Sequence, residues 1–116
     1  MDSRHAAALP SQPVRGCTLA TADQMTRGAE FGQLFADMVL RTEQPAPTRL
    51  RLELRRDPAA ARRAAELAVA ETECCSFFTF TLTAAADRLM LEIAVPDAHQ
   101  PALAALAGRA AGQVPA

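Results

Sequence analysis

The alternation of apolar and polar positions divides this chain into helical and extended segments. From Thr21 onward, Met25, Phe31, Leu34, Phe35, Met38 and Val39 recur at helical intervals, and the spacing predicts a helix. Gln24, three residues after Thr21, supplies the reciprocal capping-box spacing that satisfies two backbone donors at a helix start. The run Gln44-Pro45-Ala46-Pro47 is expected to end that segment, because proline disfavours the helical basin in the residue before it. Thr48 to Arg55 then alternates, with Leu50, Leu52 and Leu54 on one side and Arg49, Arg51, Glu53 and Arg55 on the other. That is the period of a half-buried strand.

Asp57-Pro58 is a helix start, a capping carboxylate followed by proline at the first helical position. The helix it opens is alanine-rich and reaches about Cys75. Phe77 to Thr83 is β-branched and aromatic, with Phe78, Phe80 and Leu82 on one face. Leu89 to Val95 alternates again, and the two runs read as a hairpin. Pro96-Asp97 opens a last helix carrying Leu103 and Leu106, with Gly108 as its stop. Val14 to Leu19, with Cys17 in it, reads as a further short strand.

This order predicts an α+β domain: a three- or four-stranded mixed sheet with helices mainly on one face. Strand–helix–strand steps favour parallel neighbours, to which the hairpin adds an antiparallel pair. Residues 1–14, rich in Ala, Pro and Ser, read as a disordered tail, 15–108 as the single domain and 109–116 as a flexible C-terminal tail.

Composition changes the picture in three places. With no Trp or Tyr and only five Phe, the core must come mainly from aliphatic side chains. A net charge of −1 gives no overall field toward nucleic acid, membrane or anionic substrates. Arg49, Arg51, Arg55, Arg56, Arg62 and Arg63 read as a solvated face interrupted by Glu53 and Glu66, so no nucleic-acid partner is expected. No apolar run spans a bilayer, and Met1 to Val14 lacks the apolar stretch of a signal peptide. The expectation is a cytoplasmic protein without a membrane partner, whose three cysteines stay reduced. An odd count also excludes a fully paired set within one chain.

The candidate chemistry lies where the second helix meets the aromatic strand. At about 100° per residue, Ala60, Ala64, Leu67, Glu71 and Cys74 share one stripe, with Cys75 at its edge and Arg62, Glu66 and Glu73 opposite. Glu71 therefore stands where a core residue is expected, one turn before a cysteine, and a carboxylate buried alone is costly. Vicinal cysteines diverge inside a regular element, but at a helix end both sulfurs can reach one centre. Two or three thiolates with a carboxylate suit Zn²⁺, Cu⁺ or Hg²⁺. Cys74, Cys75, Cys17 and Glu71 are the candidate ligands, Cys17 on the condition that its segment passes the corner. The helix C-terminus raises a thiol pKa, which disfavours an activated nucleophile, and no catalytic residue is assigned. Cys17 alone reads as a small buried hydrophobe rather than as a ligand. His5 falls in the tail and His99 reads as a polar surface position.

The block Glu71-x-x-Cys74-Cys75-x-Phe77-Phe78-x-Phe80-x-Leu82, followed by Leu89-x-Leu91-Glu92-Ile93-x-x-Pro96, resembles a family of small, mostly uncharacterised actinobacterial proteins. It is also similar to a module fused behind the DNA-binding region of some mercury-resistance-type regulators. The likeness covers about residues 15–107, with Ser76 standing where the family often has Pro. It implies an intracellular, sensor-like or metal-linked module and marks Cys17, Glu71, Cys74 and Cys75 together. The DNA-binding helices of those regulators are missing from this sequence, so DNA recognition is not implied. The leading reading is a soft-metal-binding module rather than an enzyme. Its rivals are a thiol-based redox or detoxification enzyme and a structural or homodimerisation domain whose cysteines merely pack.

Overall fold

The computed structural model describes residues 21–113, with side chains for 30–112. Helix α1 (Thr21–Met38) runs directly into strand β1 (Val39–Ala46). A turn at residues 47–48 leads to β2 (Arg49–Leu54), then α2 (Pro58–Cys74), β3 (Thr79–Ala84), β4 (Leu89–Ala94), a 3₁₀ turn (Asp97–His99) and α3 (Gln100–Gln113). The α+β expectation holds. The strand expected at Val14 to Leu19, the tail at 1–14 and the candidate ligand Cys17 lie outside the described residues, as does the side-chain half of the Thr21–Gln24 capping box.

The described strands form one sheet in the order β1-β2-β4-β3, and every pairing is antiparallel. The parallel neighbours of the expected mixed sheet do not occur among them. β2 and β3 do run in the same direction across α2, but the β3–β4 hairpin folds β4 back between them. The residues explain the insertion. Leu50, Leu52 and Leu54 oppose Ile93, Leu91 and Leu89 on β4 in unbroken register. All six are buried, so the middle of the sheet is an apolar ladder that β3 would complete less well.

α1 ends earlier than the proline run suggests. Met38 closes the helix, its carbonyl accepting the Arg55 N–H at 2.7 Å, and Val39 begins a strand at once. Pro45 sits inside β1 because β1 is an edge of the sheet, where a missing N–H costs no ladder bond. The last helix runs on through Gly108 to Gln113, so 109–113 are not a tail. Ala110 explains this: it lies two turns from Leu103 on the same face, and both are fully buried.

All three helices cover one face of the sheet. Phe31, Leu34 and Phe35 of α1, Ala60 and Ala64 of α2, and Leu103 and Ala110 of α3 join the strand leucines in a single core. α1 lies between α2 and α3, with α2 over β3 and α3 over β1 and β2. The other face carries charge: Arg49 meets Glu92 at 2.7 Å, Arg51 reaches Glu92 and Glu43, and Arg41 meets Glu53. Of the arginines expected on a solvated face, Arg49 and Arg51 form ion pairs across strands, and Arg63 pairs instead with Asp37 of α1. Among the described residues no helix is long and apolar enough to cross a membrane.

Candidate functional site

The site is built at the two ends of α2. At its start, Asp57 caps the helix by accepting the Ala59 N–H at 2.7 Å, and Pro58 occupies the first turn. With that end fixed, helical periodicity aims the rest. Ala60 and Ala64 are buried, Leu67 half-buried, and Glu71 buried at 8 % exposure, while Arg62, Glu66 and Glu73 face solvent. The stripe read from the sequence is the stripe the fold buries, Glu71 included.

At the other end the helix stops at Cys74 and Cys75 caps it. The Cys75 N–H donates to the Glu71 carbonyl at 2.7 Å, the last helical bond, and the Cys75 carbonyl accepts the Phe78 N–H at 3.2 Å. The turn at Ser76 and Phe77 then swings the chain into β3. Departure from helical geometry gives the neighbouring cysteines different surroundings. Cys74 is half-buried and keeps its thiol. Cys75 is 0 % exposed, packed in the core and disulfide-bonded. The expectation of reduced thiols therefore fails at Cys75, and in this form its sulfur is not a thiolate donor.

Glu71, Cys74 and Cys75 all stand in the last turn and C-cap of α2. Among the described residues no group of three or more His, Cys, Asp or Glu side chains is placed to hold a metal ion. These are donor types that soft ions take, but among the described residues they are not gathered around one centre.

One neighbour was missed by reasoning from sequence. His99, in the 3₁₀ turn, stacks on Phe77 with ring centroids 4.0 Å apart and planes at 1°. Phe77 touches Phe78 at 4.6 Å, Phe78 meets Phe80 at 5.7 Å, and Phe80 stacks on Phe31 of α1 at 6.1 Å. An aromatic line thus runs from the start of α3, past the cysteine corner, to α1. No local spacing announces the His99–Phe77 contact, because β3 and β4 lie between them in the chain. Compared with known proteins, the chain matches no family model, no curated protein and no solved structure.

Proposed function

We propose that the end of α2 is a thiol–disulfide switch that controls whether the chain presents thiolates to a soft or borderline metal ion. The observation that carries this reading is the unequal pair: Cys75 buried in a disulfide, Cys74 beside it with its thiol, and Glu71 buried one turn earlier. The chain has three cysteines, and full burial of Cys75 favours a partner from the same chain. Cys17 is that partner in this proposal. A dithiol reductant supplies two electrons and two protons, is itself oxidised to a disulfide, and leaves Cys17 and Cys75 as thiols.

In the reduced chain three thiols and the Glu71 carboxylate form the donor set. Zn²⁺, Cu⁺ or Hg²⁺ would bind as the thiols lose their protons. The resemblance to the actinobacterial family supports the same four residues, and the module-to-regulator likeness supports a sensing or trafficking role.

The test has two arms. Differential alkylation with peptide mapping should find Cys17 and Cys75 joined in the oxidised chain and all three cysteines labelled after dithiothreitol. Elemental analysis should then find metal on the anaerobically reduced chain and little on the oxidised one. Cys74→Ser and Cys75→Ser should lose it, and Glu71→Gln should bind more weakly. A reduced, folded chain that takes up none of the three ions sinks the metal half of the proposal. A second reading, a purely structural disulfide, is favoured by the complete burial of Cys75. Under it, reduction unfolds the chain, and neither redox cycling nor metal uptake accompanies a native fold.

A further inference from the structure

The two edges of the described sheet are built differently. β1 is guarded: it carries Pro45 and the charged Arg41 and Glu43, and its register with β2 breaks twice. Prolines, charges and bulges are what keep an edge from pairing with another chain. β3 has none of these. Its six residues, Thr-Phe-Thr-Leu-Thr-Ala, contain no charge and no proline, and its register with β4 is continuous from Thr79 to Ala84. Thr79, Thr81, Thr83 and Ala84 are exposed. Leu82 lies on the helix-covered face, opposite the fully buried Leu91, yet is 38 % exposed. The core layer thins out at this edge and leaves an apolar side chain uncovered.

We infer that β3 pairs antiparallel with β3 of a second copy of this chain, extending one continuous sheet through both. The occupant follows from the alternation itself. A two-fold axis through Thr81 sets Thr81 opposite its own counterpart, Thr79 opposite Thr83, and Phe80 opposite Leu82. The pattern is self-complementary on both faces, as a two-fold interface requires. Threonine pairs line the outer face and aromatic–aliphatic pairs the inner one, both favourable cross-strand combinations. Because β3 is uncharged, two copies meet without like-charge repulsion. Phe80 of the second copy then covers Leu82, completing the layer that the single chain leaves open. β1 offers no such match, since Arg41 and Glu43 interrupt its edge.

Sedimentation velocity and light scattering on the full chain should give the mass of two copies. Thr81→Lys places two like charges across the axis at a surface position, so the variant should sediment as a monomer with unchanged circular dichroism. The register is tested separately. Directly opposed residues in an antiparallel pair are about 4.5–5.5 Å apart between Cα atoms, within disulfide reach. T81C should therefore cross-link two copies under mild oxidation through position 81 of each, by peptide mapping, whereas T79C should not link to itself. A wild-type monomer across the accessible concentration range overturns the inference. So does a dimer that survives Thr81→Lys, or one in which T79C self-links as readily as T81C. Should Thr81→Lys fail to fold, the T81C result decides.

Discussion

The middle of the sheet and the end of α2 both turn side chains into the core, and the two are chemically opposite. Where β2 meets β4, Leu50, Leu52 and Leu54 face Ile93, Leu91 and Leu89, and every inward atom is hydrocarbon. At the end of α2 the inward groups are a carboxylate and a disulfide sulfur. Burial of leucine is its own driving force, roughly 25 cal/mol per Å² of apolar surface. Burial of Glu71 is not, and a leucine in its place would serve packing at least as well. A chain whose local choices otherwise agree with its fold departs from that rule here, as chains do at functional or strained positions.

The largest expected effect tests the apolar half. Leu52→Ala, at the centre of the sheet, should cost about 2–5 kcal/mol of unfolding free energy by urea titration, because the close-packed ladder cannot collapse onto the missing atoms. It should leave the alkylation pattern of the cysteines unchanged in the folded chain. A shift in cysteine labelling in folded Leu52→Ala would show that the two regions are one unit and dissolve the contrast.

The next effect tests the corner. In the oxidised chain Cys75→Ala should lose about 2–4 kcal/mol, the usual contribution of a disulfide. The same comparison under dithiothreitol should show only the smaller loss from an emptied sulfur position. Equal losses in both conditions would reduce Cys75 to a packing residue and remove the switch.

These two regions also differ in how much of them the sequence discloses. The strand ladder is visible because period-two alternation in Thr48 to Arg55 and Leu89 to Val95 is a local property, and local properties survive folding. The α2 stripe is visible for the same reason at period 3.6, which is why Glu71 stands out. β1 was hidden because Val39 continues the helical spacing of α1 and Pro45 reads as a terminator; only the edge position makes that proline acceptable. The extension of α3 past Gly108 was hidden because Ala110 gives little signal until the sheet beneath it is known. The unequal fates of Cys74 and Cys75 depend on the angle at which the chain leaves the helix. The His99–Phe77 stack depends on how two turns dock. Neither is encoded in spacing.

A smaller effect concerns what aims the corner. Asp57→Ala removes the cap at the far end of α2 and should cost about 1 kcal/mol. If the helix acts as a rigid pointer, the variant should also raise the alkylation rate of Cys74, since fraying shifts the face that Glu71 and Cys74 present. Lost stability with an unchanged rate would mean that the turn at residues 75–78, rather than the helix, sets the site.

The smallest effect lies on the solvent side of α1 and α2. Asp37 accepts a hydrogen bond from the Gln33 amide at 3.2 Å and one from the Arg63 guanidinium at 3.3 Å. The Gln33 bond first, then Arg63, hold its carboxyl below the ordinary value of 3.8. A pKa lower in the folded chain means stability that is present above about pH 4 and lost as pH falls through the folded value. Asp37→Asn should therefore lower the urea midpoint slightly near neutrality and leave it unchanged once the wild-type carboxyl is protonated. The pair is largely exposed, so salt should diminish even that difference. A midpoint difference that persists in acid would show that the hydrogen-bond geometry, not the charge, ties the two helices. An absent difference at every pH would leave α1 held to α2 by apolar packing alone, with the buried corner as the place where polar chemistry bears on the fold.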